Sequence, residues 1–144
     1  MKINDIFSLW DVDSKIDRQE LGEEAIKISI LHSKYYKIYV NEKLALKKYE
    51  IELKQLKLEK FEFYTQGPTK EQIEKGWKLP TIGRIVRGDV DRYLEADPDI
   101  VQYTLKIAVQ NEKIDLLESI IRTLRDRNFN IRAAIDWAKF QSGA

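Results

Sequence analysis

LGEEAIKISILHSKYYKIYVNEKLALKKYEIELKQLKLEKFEFY, residues 21–64, is the stretch on which the fold turns. It holds no proline, and no glycine after Gly22. Thr65-Gln66-Gly67-Pro68 follows it, a strong helix stop. The pattern predicts one helix over 21–65, with Asn41 the place where a kink is expected. At 1.5 Å per residue such a helix is about 60 Å long, more than a small domain is wide. It must find partners along its length.

Heptad columns show on which sides. One apolar stripe runs Ile28, Tyr35, Tyr49, Leu56, Phe63, flanked by Tyr39, Leu46 and Leu53. A second runs Ile30, Leu44, Ile51, Leu58, helped by Ile26, Val40 and Phe61. A polar column separates them on one side: Lys27, Lys34, Asn41, Lys48, Gln55, Glu62. A surface helix needs one apolar stripe. Two stripes fit either one wide buried face in a monomeric bundle or a helix held between its own chain and a neighbouring subunit. So short a chain has few elements to cover both, which favours the second reading, with Ile30, Leu44, Ile51, Leu58 and Phe61 at the subunit interface. The remaining side is basic: Lys43, Lys47, Lys54, Lys57 and Lys60 fall in adjacent columns, interrupted by Glu50. Such a row either only keeps the helix wet, with ordinary pairs to Glu50, or follows a polyanion.

The totals bound the class. A chain of 144 residues, 43% hydrophobic and 34% charged, reads as one helical domain with an arm. The formal net charge is +1, so any nucleic-acid binding must come from local segregation of charge. No run approaches the ~18 apolar residues of a membrane span. The start, Met1-Lys2-Ile3-Asn4-Asp5, lacks the apolar core of a signal peptide. There is no cysteine, which excludes disulfides and thiolate metal sites.

Outside the long helix the sign of the charge alternates. Residues 1–20 form an acidic arm anchored by Ile6, Phe7, Leu9 and Trp10, and Asp17 with Glu20 resembles a loose capping box. The arm is either a short helix packed on the long one or a docking segment for a basic partner or an adjacent subunit. Residues 66–97 connect. Within them Lys75 to Gly88 holds Lys75, Lys78, Arg84 and Arg87 and no acid, with Trp77 and three glycines. Cations to follow phosphates, a pliable backbone and a ring face are what a single strand needs; Tyr64 and Trp77 are the candidate stacking residues. A tryptophan that fills a core gap is the competing reading of Trp77. Gly83 and Gly88 have phosphate-loop spacing, but Asp89 stands where that loop requires lysine, so a nucleotide loop is rejected. Asp89, Asp91, Glu95, Asp97 and Asp99 follow; Asp97-Pro98 reads as an N-cap and first helical residue. A helix is expected over 98–128 with Ile100, Ile107, Ile114 and Ile121 at seven-residue steps. Asn128 is read as its end and Asn130 as the cap of a last short helix, 130–141. Arg122, Arg125, Arg127, Arg132 and Lys139 cluster at that corner without the marks of a duplex-reading helix.

His32 is the only histidine, which excludes zinc-type sites and leaves no elbow or dyad for nucleophilic catalysis. No carboxylate pair is marked as special. A non-enzyme without cofactor or metal is expected, with an all-α fold. The competing classes are a helical protein–protein scaffold and, more distantly, a magnesium-dependent nuclease using Asp89, Asp91 and Glu95.

Two blocks carry a resemblance. One is Leu58-Glu59-Lys60-Phe61-Glu62-Phe63-Tyr64-Thr65-Gln66-Gly67, a basic helix end with paired aromatics and a glycine turn. The other runs from Asp91-Arg92-Tyr93 through Ala96-Asp97-Pro98-Asp99 to Asp126-Arg127-Asn128-Phe129-Asn130-Ile131-Arg132 and the final residues. In their order and spacing the chain resembles the UvsY-like recombination mediators of T4-type phages, diverging in the first 20 or so residues and over 68–88. The resemblance implies a ring-like homo-oligomer, hexamer or heptamer, that binds single-stranded DNA in the cytoplasm of an infected host. It also implies help in loading a RecA-like phage recombinase onto strands covered by the phage single-strand-binding protein. Two basic side chains before the paired aromatics are implicated in DNA contact in that family. The second falls on Lys60; the first falls on Leu58, a departure. Lys57 is adjacent but about 100° away around the helix. Either Lys57 substitutes, or the load shifts to Lys54 and the Lys75–Arg87 segment.

Overall fold

The Gly67 stop and the proline-free run before it produce a helix, α2, over Leu21–Gln66, one residue from the expected end. In the computed structural model, which describes residues 1–143, the elements are α1 (Ile3–Asp13), α2, α3 (Lys70–Glu74), a 3₁₀ turn (Arg87–Asp89), α4 (Val90–Ala96) and α5 (Pro98–Gln141). No strand occurs among the described residues. Gly67 has φ +96°, and its N–H bonds to the Phe63 carbonyl, closing the last turn of α2. Thr69 and Gln72 form a reciprocal capping box that starts α3. Asp97 caps α5 as expected, its Oδ1 accepting from the N–H groups of Asp99 (3.0 Å) and Ile100 (3.2 Å).

The expected break at Asn128 is not there: α5 runs through Asn128 and Asn130 to Gln141. Asparagine costs a helix less than about 1 kcal/mol per residue. Leu124, Arg127 and Ile131, all buried, lie three and four residues apart across the junction. Fully burying a Leu or Ile side chain is worth about 1.5–3 kcal/mol, so packing overrides the weak local preference.

The chain divides into two compact units, and α2 and α5 each contribute residues to both. Unit 1 comprises residues 1–44 and 110–144. Its core is Ile6 of α1, Tyr35 of α2 and Leu117, Ile120 and Leu124 of α5. The acidic arm thus supplies a packed helix, with Trp10 edge-on to Tyr35 at 5.6 Å. Arg127 donates to the carbonyls of Asp13 (3.1 Å) and Ser14 (3.0 Å), which end α1. Glu42 is buried and accepts from Gln110 Nε2 at 2.6 Å, with Lys113 Nζ at 3.4 Å.

Unit 2 is residues 45–109. Its core is Phe63, Tyr64, Ile85 and Val90, with Phe61, Trp77, Leu79, Tyr93 and Leu94 packed against it. The connecting segment is strapped to the end of α2 by the Ile85 N–H, which donates to the Tyr64 carbonyl at 2.8 Å.

Candidate nucleic-acid interface

Of the two apolar stripes on α2, one is covered and one is not. Tyr35 and Phe63 of the first are buried. Ile30, Leu44, Ile51 and Leu58 of the second are 64%, 63%, 56% and 61% exposed. At about 100° per residue this open stripe lies opposite the buried face, and Lys43, Lys47, Lys54 and Lys57 run along one side of it. All four lysines are exposed. Lys43 Nζ lies 5.3 Å from the Tyr39 ring centroid, and Lys47 reaches Glu50 only at 4.0 Å. Phe61, expected with the open stripe, is half-buried against the unit 2 core instead.

The other expected contact residues fall into two groups. Lys60, Tyr64, Lys75, Trp77 and Lys78 converge on one cleft of about 330 Å³ in unit 2, with Asp97 and Asp99 in its wall. Arg84 and Arg87 are exposed outside that lining, Arg84 with its guanidinium against Gly67.

Inside the cleft Lys60, expected to contact DNA, and Tyr64, expected to stack on a base, are turned inward. Lys60 is only 3% exposed. Its ammonium lies 3.1 Å from Asp97 Oδ2 and 2.8 Å from Asp99 Oδ2, and 3.7 Å from the Trp77 ring centroid. Tyr64 is buried, its hydroxyl donating to Asp97 Oδ2 at 2.6 Å. Burial works against ionising Asp97, yet the Tyr64 hydroxyl, the Lys60 ammonium and the Ile100 N–H hold its carboxyl below the usual carboxylate range. Burial, then the bond to Asp97 and the Asp97 and Asp99 charges, push the Tyr64 phenol up. Lys60 and Tyr64 therefore shape the cleft from within, while Lys75 and Lys78 are exposed at it and Trp77 is half-buried.

The inward turn of Lys60 has a sequence signal. It continues the column Tyr39, Leu46, Leu53 at seven-residue steps, on the buried face. Glu42 likewise sits in the Tyr35–Tyr49 column, and Gln110 lies between Ile107 and Ile114. A polar residue in an apolar column marks a buried polar partner. The Glu42–Gln110–Lys113 group was missed for want of that step.

Asp89, Asp91 and Glu95 do not converge: no group of three or more metal-ligating side chains is assembled among the described residues. No helix among them is long and apolar enough to cross a membrane. The described residues form an all-helical protein that carries exposed cations on α2 and in the segment after it.

The chain belongs to the UvsY family: residues 9–144 match the family described as recombination, repair and ssDNA binding protein UvsY. Crystal structures of the bacteriophage T4 recombination mediator protein UvsY share the fold. One has a TM-score of 0.79 at 19% identity, covering 98% of this chain and 99% of that one. A second lattice type gives 0.78 at 20% identity, covering 99% and 98%. A third gives 0.78 at 19%, covering 95% and 98%. No curated protein matches the sequence.

Proposed function

We propose that this protein is a recombination mediator. It binds single-stranded DNA and promotes loading of a RecA-like recombinase onto strands covered by single-strand-binding protein, acting as a ring-like homo-oligomer in the host cytoplasm. The observation that carries this reading is the exposed face of α2, on which Lys43, Lys47, Lys54 and Lys57 run beside the uncovered Ile30, Leu44, Ile51 and Leu58. An apolar stripe repeated on each subunit suits self-association, and self-association sets the lysine rows of several subunits side by side. Lys54 and Lys57, with Lys75, Lys78, Arg84 and Arg87, then supply the phosphate contacts. Lys60, enclosed by Asp97 and Asp99, holds the cleft in shape. No step of this activity is a covalent change.

The test is Lys54→Glu with Lys57→Glu, read by fluorescence anisotropy with labelled oligo-dT across a salt series. Binding should weaken while assembly size by light scattering stays constant. Each lost phosphate contact should lower the salt slope by roughly 0.7. Wild-type protein that ignores oligo-dT at low ionic strength would instead be a protein–protein scaffold.

A further inference from the structure

Unit 1 carries a cleft of its own, of about 350 Å³, that has no part in the reading above. From α2 it is lined by His32, Tyr36 and Tyr39, and from α5 by Arg122 and Arg125, with Ile121 and Glu118. Steps of four and three residues put the three rings on one face of α2. The His32 ring stacks on Tyr36 with centroids 5.9 Å apart and planes 9° apart. Tyr39 follows at 6.0 Å and 38°. Tyr36 is 51% exposed, and His32 and Tyr39 beside it are half-buried. The two arginines are exposed, and neither enters an ion pair among the described residues. Glu118, the carboxylate in the lining, is engaged by the Tyr39 hydroxyl at 2.8 Å.

We infer that this cleft is a second single-strand site, in which Tyr36 and His32 stack on nucleobases and Arg122 and Arg125 take the neighbouring phosphates. The inference rests on the single-strand-binding reading and adds to it a location that the basic face of α2 does not supply. Ring faces in series are what successive bases stack on, and stacking tolerates any base sequence. A proline-rich peptide also uses aromatic grooves, but its backbone carbonyls bring no anionic charge to two guanidiniums. Planar guanidinium forks fit phosphate oxygens in pairs. The cleft therefore takes a polyanion with flat apolar faces, which is a single strand and not a protein surface.

The experiment uses the full chain and a labelled dT oligonucleotide, with affinity read at several salt concentrations. Tyr36→Ala should weaken binding about tenfold, within the range one lost base stack supports. Tyr36→Phe should restore it, since the ring and not the hydroxyl is used. Arg122→Ala with Arg125→Ala should lower the salt slope by about 1.4, at ~0.7 for each phosphate on a single strand. In wild-type protein, an oligonucleotide carrying 5-iodouracil should photocrosslink to a peptide containing Tyr36, a readout that does not depend on any variant folding. Wild-type affinity and slope in the variants, failure of Tyr36→Phe to restore binding, or crosslinks confined to residues 45–109 overturn the second site and leave the single-strand reading intact. Wild-type protein that fails to bind the oligonucleotide at all overturns that reading first, so the two failures are distinct.

Discussion

Each unit contains an aspartate held by a tyrosine hydroxyl and a lysine of α2, and the two sites are built in opposite senses. In unit 1, Asp13 Oδ2 accepts from Lys34 Nζ at 2.6 Å and from the Tyr35 hydroxyl at 2.7 Å. In unit 2, Asp97 Oδ2 accepts from the Tyr64 hydroxyl at 2.6 Å and lies 3.1 Å from Lys60 Nζ. Asp13 is the last residue of α1, where the helix dipole disfavours a negative charge. Lys34 and Arg127 make it tolerable there. Asp97 stands at the start of α5, where two N–H groups already favour its charge. In unit 2 the dependent partner is the lysine: the Lys60 side chain is 4% exposed, against 39% for Lys34. Cations support a carboxylate in one unit, and carboxylates support a buried cation in the other.

That asymmetry is broken most severely at Asp97. Asp97→Ala removes the α5 cap, the acceptor of Tyr64 and one partner of Lys60, leaving an ammonium buried with Asp99 alone. A cost of about 3–5 kcal/mol is expected, as for other buried pairs cut on one side, and urea denaturation measures it. A loss below about 1 kcal/mol would mean that water reaches Lys60. Double-mutant cycles then sharpen the contrast. Lys60→Met with Asp97→Asn should show a coupling of about 1–3 kcal/mol. Lys34→Met with Asp13→Asn should show no more than about 1 kcal/mol, because Lys34 can turn to solvent. Equal couplings would erase the distinction between the units.

How far these sites were legible follows from the same residues. The two-stripe pattern of α2, its end at Gly67 and the Asp97-Pro98 start of α5 are local signals, and local structure obeys them. Asn128 is also a local signal, but Leu124 and Ile131 pack across it and tertiary burial wins. For Lys60 the charge drew attention and the column did not: a lysine three residues before Phe63 reads as surface unless its place on the Leu46–Leu53 side of the helix is weighed first. Its partners Asp97 and Asp99 lie more than thirty residues away, across α3 and α4, and no periodicity within α2 reveals them. The cleft that gathers Lys75, Lys78 and Trp77 is legible as composition, and its assembly around Lys60 is not.

The smallest effect lies in the acid limb of the stability profile. Both aspartates ionise more readily folded than unfolded. An unfolded chain with ordinary carboxylates, near pH 3.9, then takes up protons before the folded one does as pH falls. Each group's contribution is complete above that unfolded value and is lost as pH drops through the lower folded value, so stability should hold level near neutrality and fall below about pH 4. Asp97→Asn keeps an oxygen for the cap and abolishes the titration. Its urea midpoint should start lower at pH 7 and decline less steeply below about pH 4 than that of the wild type. Asp13→Asn should flatten the same limb, because Lys34, Tyr35 and Arg127 lower Asp13 against a burial penalty of the same kind. If the Asp97→Asn profile keeps the full wild-type slope, the acid sensitivity belongs to other carboxylates, and the carboxylate beside Lys60 is held by geometry without being tuned by its charge.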